Sequence, residues 1–115
     1  MITLNELKQQ LDAGAPLTLV EVLAPHAYRA AHLPGAINLP LLGLRRMAEA
    51  MLPDKQAAII VYCHNARCGS SAKAARVLGE LGYANVREFR EGKQAWIAAG
   101  YPVEGDATPA ASRVG

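Results

Sequence analysis

The chain is poor in aromatic residues and cysteines and has no long apolar run. Six of its 115 residues are Trp, Tyr or Phe, too few for the stacked platforms of a single-strand nucleic-acid module. There are two cysteines, Cys63 and Cys68. That excludes a dense disulfide framework, and in a reducing compartment the pair reads as free thiols, catalytic groups or ligands. The longest strongly apolar stretch, residues 57–63, is far short of the roughly 20 residues that span a bilayer. The N-terminus, MITLNELKQQ, has no basic segment followed by an apolar run, so no secretory leader is expected and the expected location is cytoplasmic. The formal net charge of +2 is too small to argue for a polyanion. Neither nucleic acid nor a membrane is expected as a partner.

What is present is ordinary for a folded domain: 51% hydrophobic and 19% charged residues. A chain this long hides roughly 65% of its unfolded surface and needs no structural metal. Residues 1–105 are expected to form one domain, and residues 106–115, rich in Ala, Pro, Ser and Thr, a mobile tail. Thr3 and Glu6 make a capping box, followed by a helix with Leu4, Leu7 and Leu11 on one face and ended by Gly14. Residues 17–23 read as a strand, 25–31 as a helix entered through Pro25, and 36–39 as a short strand. Leu41, Leu44, Met47, Ala48, Met51 and Leu52 recur at helical spacing. Residues 57–62 form a continuous apolar run, as in a strand buried on both faces. A helix over 70–81, a strand over 85–89 and a helix over 93–99 complete the chain, with Gly82 and Gly100 at helix ends. Trp96 is expected in the core, Tyr83 and Tyr101 in packing or rim positions, and His26 and His32 in structural roles. Strands separated by helices predict an α/β fold, a mostly parallel sheet with helices on both faces. Sites in such sheets form beyond the carboxyl ends of the strands.

That rule directs attention to Cys63-His64-Asn65-Ala66-Arg67-Cys68-Gly69-Ser70. Cys63 follows the most apolar strand, and the next helix starts seven residues later. A loop curling from strand end to helix start can turn backbone amides inward, and the helix N-terminus adds positive potential. A thiol held there is biased toward thiolate, and an anionic substrate fits the same cradle. Residues 55–79 contain no Asp or Glu, while Lys55, Arg67, Lys73 and Arg76 give the stretch +4, leaving −2 for the rest. The competing structural role for Cys63 is an inert core thiol. Cys68 is either a packing residue or a neighbouring thiol that resolves an oxidised Cys63 as an internal disulfide. Cys63, His64 and Cys68 match no standard zinc spacing, so no metal, and no other cofactor, is expected.

The sequence resembles the rhodanese-like domains over nearly all of residues 2–104. The stretch Leu19-Val20-Glu21-Val22, followed by Ala31-His32-Leu33-Pro34-Gly35-Ala36-Ile37-Asn38, is similar to the family's first block. Val61-Tyr62-Cys63 with Ser71-Ala72-Lys73-Ala74-Ala75 is similar to its active-site block. Leu78 to Tyr83, Asn85-Val86, Ala95-Trp96 and Ala99-Gly100-Tyr101-Pro102-Val103 are similar to its carboxyl-terminal signature. The resemblance implies a small, mostly parallel five-stranded sheet flanked by helices. It also implies sulfur transfer through a persulfide on Cys63.

The chain departs from the family pattern at several points. Glu21 and Leu23 stand where Asp and Arg are usual, and Glu91-Gly92 where Gly-Gly is usual. Cys63 lies eight positions before Ser71, so the loop looks about two residues longer than the common sulfurtransferase loop, with Cys68 rather than Arg five positions after Cys63. The expected function is a sulfurtransferase that takes sulfur from thiosulfate or a related anionic donor and passes it to a thiol, cyanide or protein acceptor. Cys63 is the expected nucleophile. His64, Asn65, Ala66, Arg67, Cys68, Gly69, Ser70 and Ser71 form the expected anion-binding loop. Two alternatives are a non-catalytic or redox-sensing module using Cys63 and Cys68, and a phosphatase or arsenate reductase of the same fold. The last is suggested by the long loop and opposed by the lack of a terminal Arg fork.

Overall fold

The computed structural model describes residues 1–106. In chain order the elements are α1 (Leu4–Asp12), β1 (Thr18–Glu21), α2 (Pro25–Ala30), β2 (Ile37–Asn38), α3 (Leu44–Met51), β3 (Ala58–Tyr62), α4 (Ser70–Glu80), β4 (Asn85–Phe89) and α5 (Gly92–Ala98). α1 begins at the expected capping box: the Glu6 amide donates to Thr3 Oγ1 and the Thr3 amide to Glu6 Oε1. The sheet order is β2-β1-β3-β4, and every pairing is parallel. The chain winds from β1 to one neighbour, β2, and then crosses to the other, β3. The carboxyl ends of β1 and β3 are therefore the topological switch point, where crevices open in such sheets.

β3 shows how the sequence sorts the core. From Ile59 onward its residues are fully or nearly fully buried and alternate between two apolar layers. Ile59, Val61 and Cys63 join Leu44, Ala48, Ala74 and Leu78 beneath α3 and α4. Ile60 and Tyr62 join Leu7, Phe89 and Trp96 beneath α1 and α5. Burying a side chain of this size contributes about 1.5–3 kcal/mol, so the period-two alternation fixes the facing of Cys63.

Four strands stand among the described residues where the family resemblance implied five. After α5 the chain makes a single antiparallel bridge, His32 with Glu104. Pro102, which has no amide to donate, sits in this segment. Asp106, expected at the start of a mobile tail, is tied down by its amide to the Arg29 carbonyl (2.7 Å). Residues 107–115 of that tail lie outside the described residues. Trp96 is buried and donates from its indole to the Pro102 carbonyl at 2.8 Å, with Tyr101 edge-on to it. Tyr83 is buried, its hydroxyl on the Leu52 carbonyl. The His32 ring stacks on Tyr28 and bonds its carbonyl through Nδ1, a structural role, whereas His26 is exposed. Among the described residues no helix is long and apolar enough to cross a membrane.

Candidate active site

Cys63 is the first residue beyond β3, at the switch point, and its exposure is 0%. Strand alternation turns its side chain toward α4. There its Sγ lies 3.5 Å from the Ser71 hydroxyl, 3.4 Å from the Cys68 carbonyl and 4.0 Å from the Asn65 carbonyl. The loop is held from inside and from outside. Inside, Asn65 Oδ1 accepts from the Arg67 amide (2.9 Å), an Asx turn, and the Asn65 carbonyl accepts from the Cys68 amide (3.1 Å). Outside, the first amides of α5 reach into the loop: Lys93 donates to the Cys63 carbonyl at 2.9 Å and Gln94 to the His64 carbonyl at 2.8 Å. The Asn65 side chain also bonds Gln94. The N-terminus of α5 thus spends its unpaired donors on the loop.

This clamp explains Gly92. Its φ is +78°, and a Cβ there would sit 2.7 Å from the backbone of His64 and Asn65. The residue must be glycine for its conformation and for the close approach of α5. In Glu91-Gly92 the glycine that the contact requires is retained.

The loop's charge differs from the expected picture. Of the four cations in residues 55–79, Lys55 lies at the opposite end of β3, engaged with Glu49 and the Leu81 carbonyl. Lys73 and Arg76 are exposed on α4, and only Arg67, also exposed, is on the loop. A carboxylate comes close from outside the stretch: Glu88 of β4 is buried and accepts from the Ser71 hydroxyl at 2.6 Å. Arg90 partners its other oxygen at 3.2 Å. With its proton directed to Glu88, the Ser71 hydroxyl presents a lone pair to the Cys63 thiol. A line of hydrogen bonds therefore runs Cys63, Ser71, Glu88.

The thiols also differ from the expectation of a thiolate at Cys63. Burial pushes the Cys63 thiol above its ordinary range, and the adjacent Cys68 thiol pushes it further, while the Ser71 amide acts in the opposite sense. Neutral Cys63 donates toward carbonyls. For Cys68 burial also opposes ionisation. Hydrogen bonds from the Cys63 thiol, the Ser70 amide and hydroxyl and the His64 amide outweigh it and hold the Cys68 thiol below its ordinary range. The amides expected to converge on Cys63 are thus divided, Ser71 facing Cys63 and Ser70 and His64 facing Cys68. Composition could not show this, because it depends on which way each peptide of the loop points.

Of the expected loop residues, Cys63 and Ser71 are buried, Asn65, Cys68 and Ser70 half-buried, and His64, Ala66, Arg67 and Gly69 exposed. The sequence reading missed Glu88 and Lys93. Lys93 Nζ is buried against Glu21 Oε2 (3.0 Å) and the carbonyls of Ala27 (3.0 Å) and Ala31 (2.7 Å). Glu21 also accepts from the Tyr62 hydroxyl at 2.8 Å, and that hydroxyl receives the Leu33 amide. The network joins β1, α2, β3 and α5 directly behind the loop. Its opposing charges lie 72 residues apart in sequence, so no local pattern marks them. Glu88 left a trace: period-two spacing puts it on the same strand face as Val86, which packs half-buried against the core.

Comparison with known proteins agrees with this geometry. The family described as "Rhodanese-like domain" matches residues 3–99. The HTH-type transcriptional regulator Rv0324 of Mycobacterium tuberculosis is 35% identical over 103 residues, covering 90% of this chain and 44% of the regulator. Thiosulfate sulfurtransferase PspE of Escherichia coli is 36% identical over 67 residues, 58% of this chain and 62% of PspE. The solved rhodanese-like domain of the Anabaena Alr3790 protein superposes with a TM-score of 0.83 at 30% identity, covering 93% of this chain and 80% of that domain. The chain spans less than two thirds of either curated relative.

Proposed function

The chain belongs to the rhodanese-like domain family, and from that premise we propose that it moves sulfane sulfur from thiosulfate or a related anionic donor to a thiol, cyanide or protein acceptor through a persulfide on Cys63. The observation that carries this reading is the seat of Cys63: a free thiol at the switch point, facing the first turn of α4 and the buried Ser71–Glu88 pair. In the first half-reaction the Cys63 proton passes to the Ser71 oxygen as the Ser71 proton moves to Glu88. The thiolate attacks the outer sulfur of thiosulfate. A Cys63–sulfur bond forms, the sulfur–sulfur bond of the donor breaks, and sulfite leaves with its electron pair. The donor's anionic oxygens are held by the loop, residues 64–71, through its amides and Arg67. In the second half-reaction the acceptor attacks the outer sulfur and Cys63 leaves as thiolate.

A second cysteine that is also a free thiol fits a reducing, cytoplasmic setting. The phosphatase or arsenate reductase alternative draws no support from Arg67, which is exposed, precedes Cys68 and engages the loop through its backbone amide. The test is thiocyanate formation from thiosulfate and cyanide. Turnover abolished in Cys63→Ala is the expected result. Turnover that survives the substitution contradicts the reading, and a domain that turns over no sulfane donor is a binding or sensing module.

A further inference from the structure

We propose that Cys68 resolves the Cys63 persulfide: it displaces the transferred sulfur as hydrosulfide and closes a Cys63–Cys68 disulfide, so that the site also releases sulfide at the expense of a dithiol reductant. The inference rests on the persulfide reading above and adds to it a second outlet for the sulfur.

Geometry supports the pairing. The two thiols lie close enough for each to shift the ionisation of the other. Cys63 Sγ lies 3.4 Å from the Cys68 carbonyl oxygen. A carbonyl oxygen is about 2.4 Å from its own Cα, so the Cys68 Cα is within roughly 6 Å of that sulfur. A bridge needs the two Cα atoms about 4.4–6.8 Å apart, a separation set by the path of residues 64–67 between them. Both cysteines lie outside helix and strand, at the two ends of an irregular loop. Closing the bridge requires adjustment of residues 64–69 and leaves β3 and α4 in place. Ser70 and His64 favour ionisation of the Cys68 thiol, which helps it give up its proton as it attacks.

The chemistry of the pocket selects which sulfur is attacked. Attack by Cys68 on the outer sulfur would expel Cys63 as a thiolate and only move the persulfide from one cysteine to the other. Attack on Cys63 Sγ expels hydrosulfide, the better leaving group. In that step the bond between Cys63 Sγ and the outer sulfur breaks and a bond between the two cysteine sulfurs forms. The outer sulfur departs with the bonding pair and one proton, the proton that Cys68 held. The persulfide anion and one thiol thus become one disulfide and one hydrosulfide anion. Relative to their thiolates the two cysteines each lose one electron, and the sulfane sulfur gains both. An external dithiol returns the disulfide to two thiols and becomes a disulfide itself.

The experiment uses the reduced full chain, freed of small thiols, with thiosulfate and, in parallel, inorganic polysulfide as donor. With thiosulfate the wild type is expected to release one equivalent each of sulfite and sulfide. It then stops with a mass lower by about 2 Da and a Cys63–Cys68 linked peptide, and sulfide production resumes when dithiothreitol is added. Cys68→Ser is expected to stop at a mass higher by about 32 Da, with sulfide at least tenfold below wild type. A wild type that releases sulfite but also stops at the persulfide overturns the inference and leaves the persulfide reading intact. Neither sulfite nor an adduct with either donor, in wild type and Cys68→Ser alike, overturns both. Persulfidation of Cys68 in Cys63→Ser reverses the order of the thiols and overturns the inference as well.

Discussion

The buried pair behind the loop can be tested through stability. Lys93→Met removes the ammonium that satisfies Glu21 Oε2 and the carbonyls of Ala27 and Ala31. The side chains of Lys93 and Glu21 are 7% and 0% exposed, so water cannot replace the lost partner. Removing one member of such a pair costs about 3–5 kcal/mol, mostly from the charge left behind. At about 4 °C per kcal/mol for a domain of this size, the melting temperature should fall by about 12–20 °C. Restoring neutrality should reverse part of the loss. The double variant Lys93→Met with Glu21→Gln keeps an acceptor for the Tyr62 hydroxyl and buries no charge. It is expected to exceed Lys93→Met in stability by about 2 kcal/mol. Urea unfolding followed by the fluorescence of Trp96, the single tryptophan, measures both values. A Lys93→Met variant within 1 kcal/mol of wild type, to use about a third of the smallest expected cost, refutes the reasoning. So does a double variant less stable than the single.

Other outcomes follow from the loop. Gly92→Ala forces a Cβ to 2.7 Å from the loop backbone, so thiocyanate formation should fall sharply along with stability. Gly100→Ala, at φ +80° with nothing within 4 Å, should cost only about 1–2 kcal/mol of backbone strain and keep its activity; equal loss of turnover in both contradicts the close-approach argument. Ser71→Ala removes the link between Cys63 and Glu88. It is expected to cost about 1–3 kcal/mol and to slow sulfite release at least about tenfold, and unchanged stopped-flow rates dismiss the relay. Burial favours the neutral form of Cys63, so its thiol ionises at a higher pH than an ordinary cysteine. In Cys68→Ser the rate of iodoacetamide alkylation should still be climbing at pH 9.0, whereas a plateau by about pH 8 marks a lowered thiol and contradicts the assignment. In the wild type near neutral pH, Cys68 should be labelled before Cys63.

The legible parts of the molecule were those set by local pattern. Residues 85–89 were read to their exact ends, and β3 differs from its expected run by one residue. Capping chemistry at Thr3 and Glu6 and the apolar run before Cys63 are short-range signals, and they also located the loop. Charge was misleading because it was counted along the chain. Lys55 is near Cys63 in sequence but lies at the other end of β3, while Glu88, 25 residues after Cys63, sits one hydroxyl away from its thiol. The state of Cys63 is not legible for a related reason: helix-terminus potential can be read from a strand–loop–helix order, but full burial and the direction of each loop carbonyl cannot. Glu21 and Lys93 were invisible as a pair because their contact depends on how α5 docks against β1.

The most direct measurement is the intact mass and peptide map of Cys68→Ser after incubation with thiosulfate. Cys63 is then the only cysteine. A gain of about 32 Da on the Cys63 peptide, removed by cyanide with formation of thiocyanate, is the expected result. No adduct, or one carried by any other residue, contradicts the claim that Cys63 carries the sulfur.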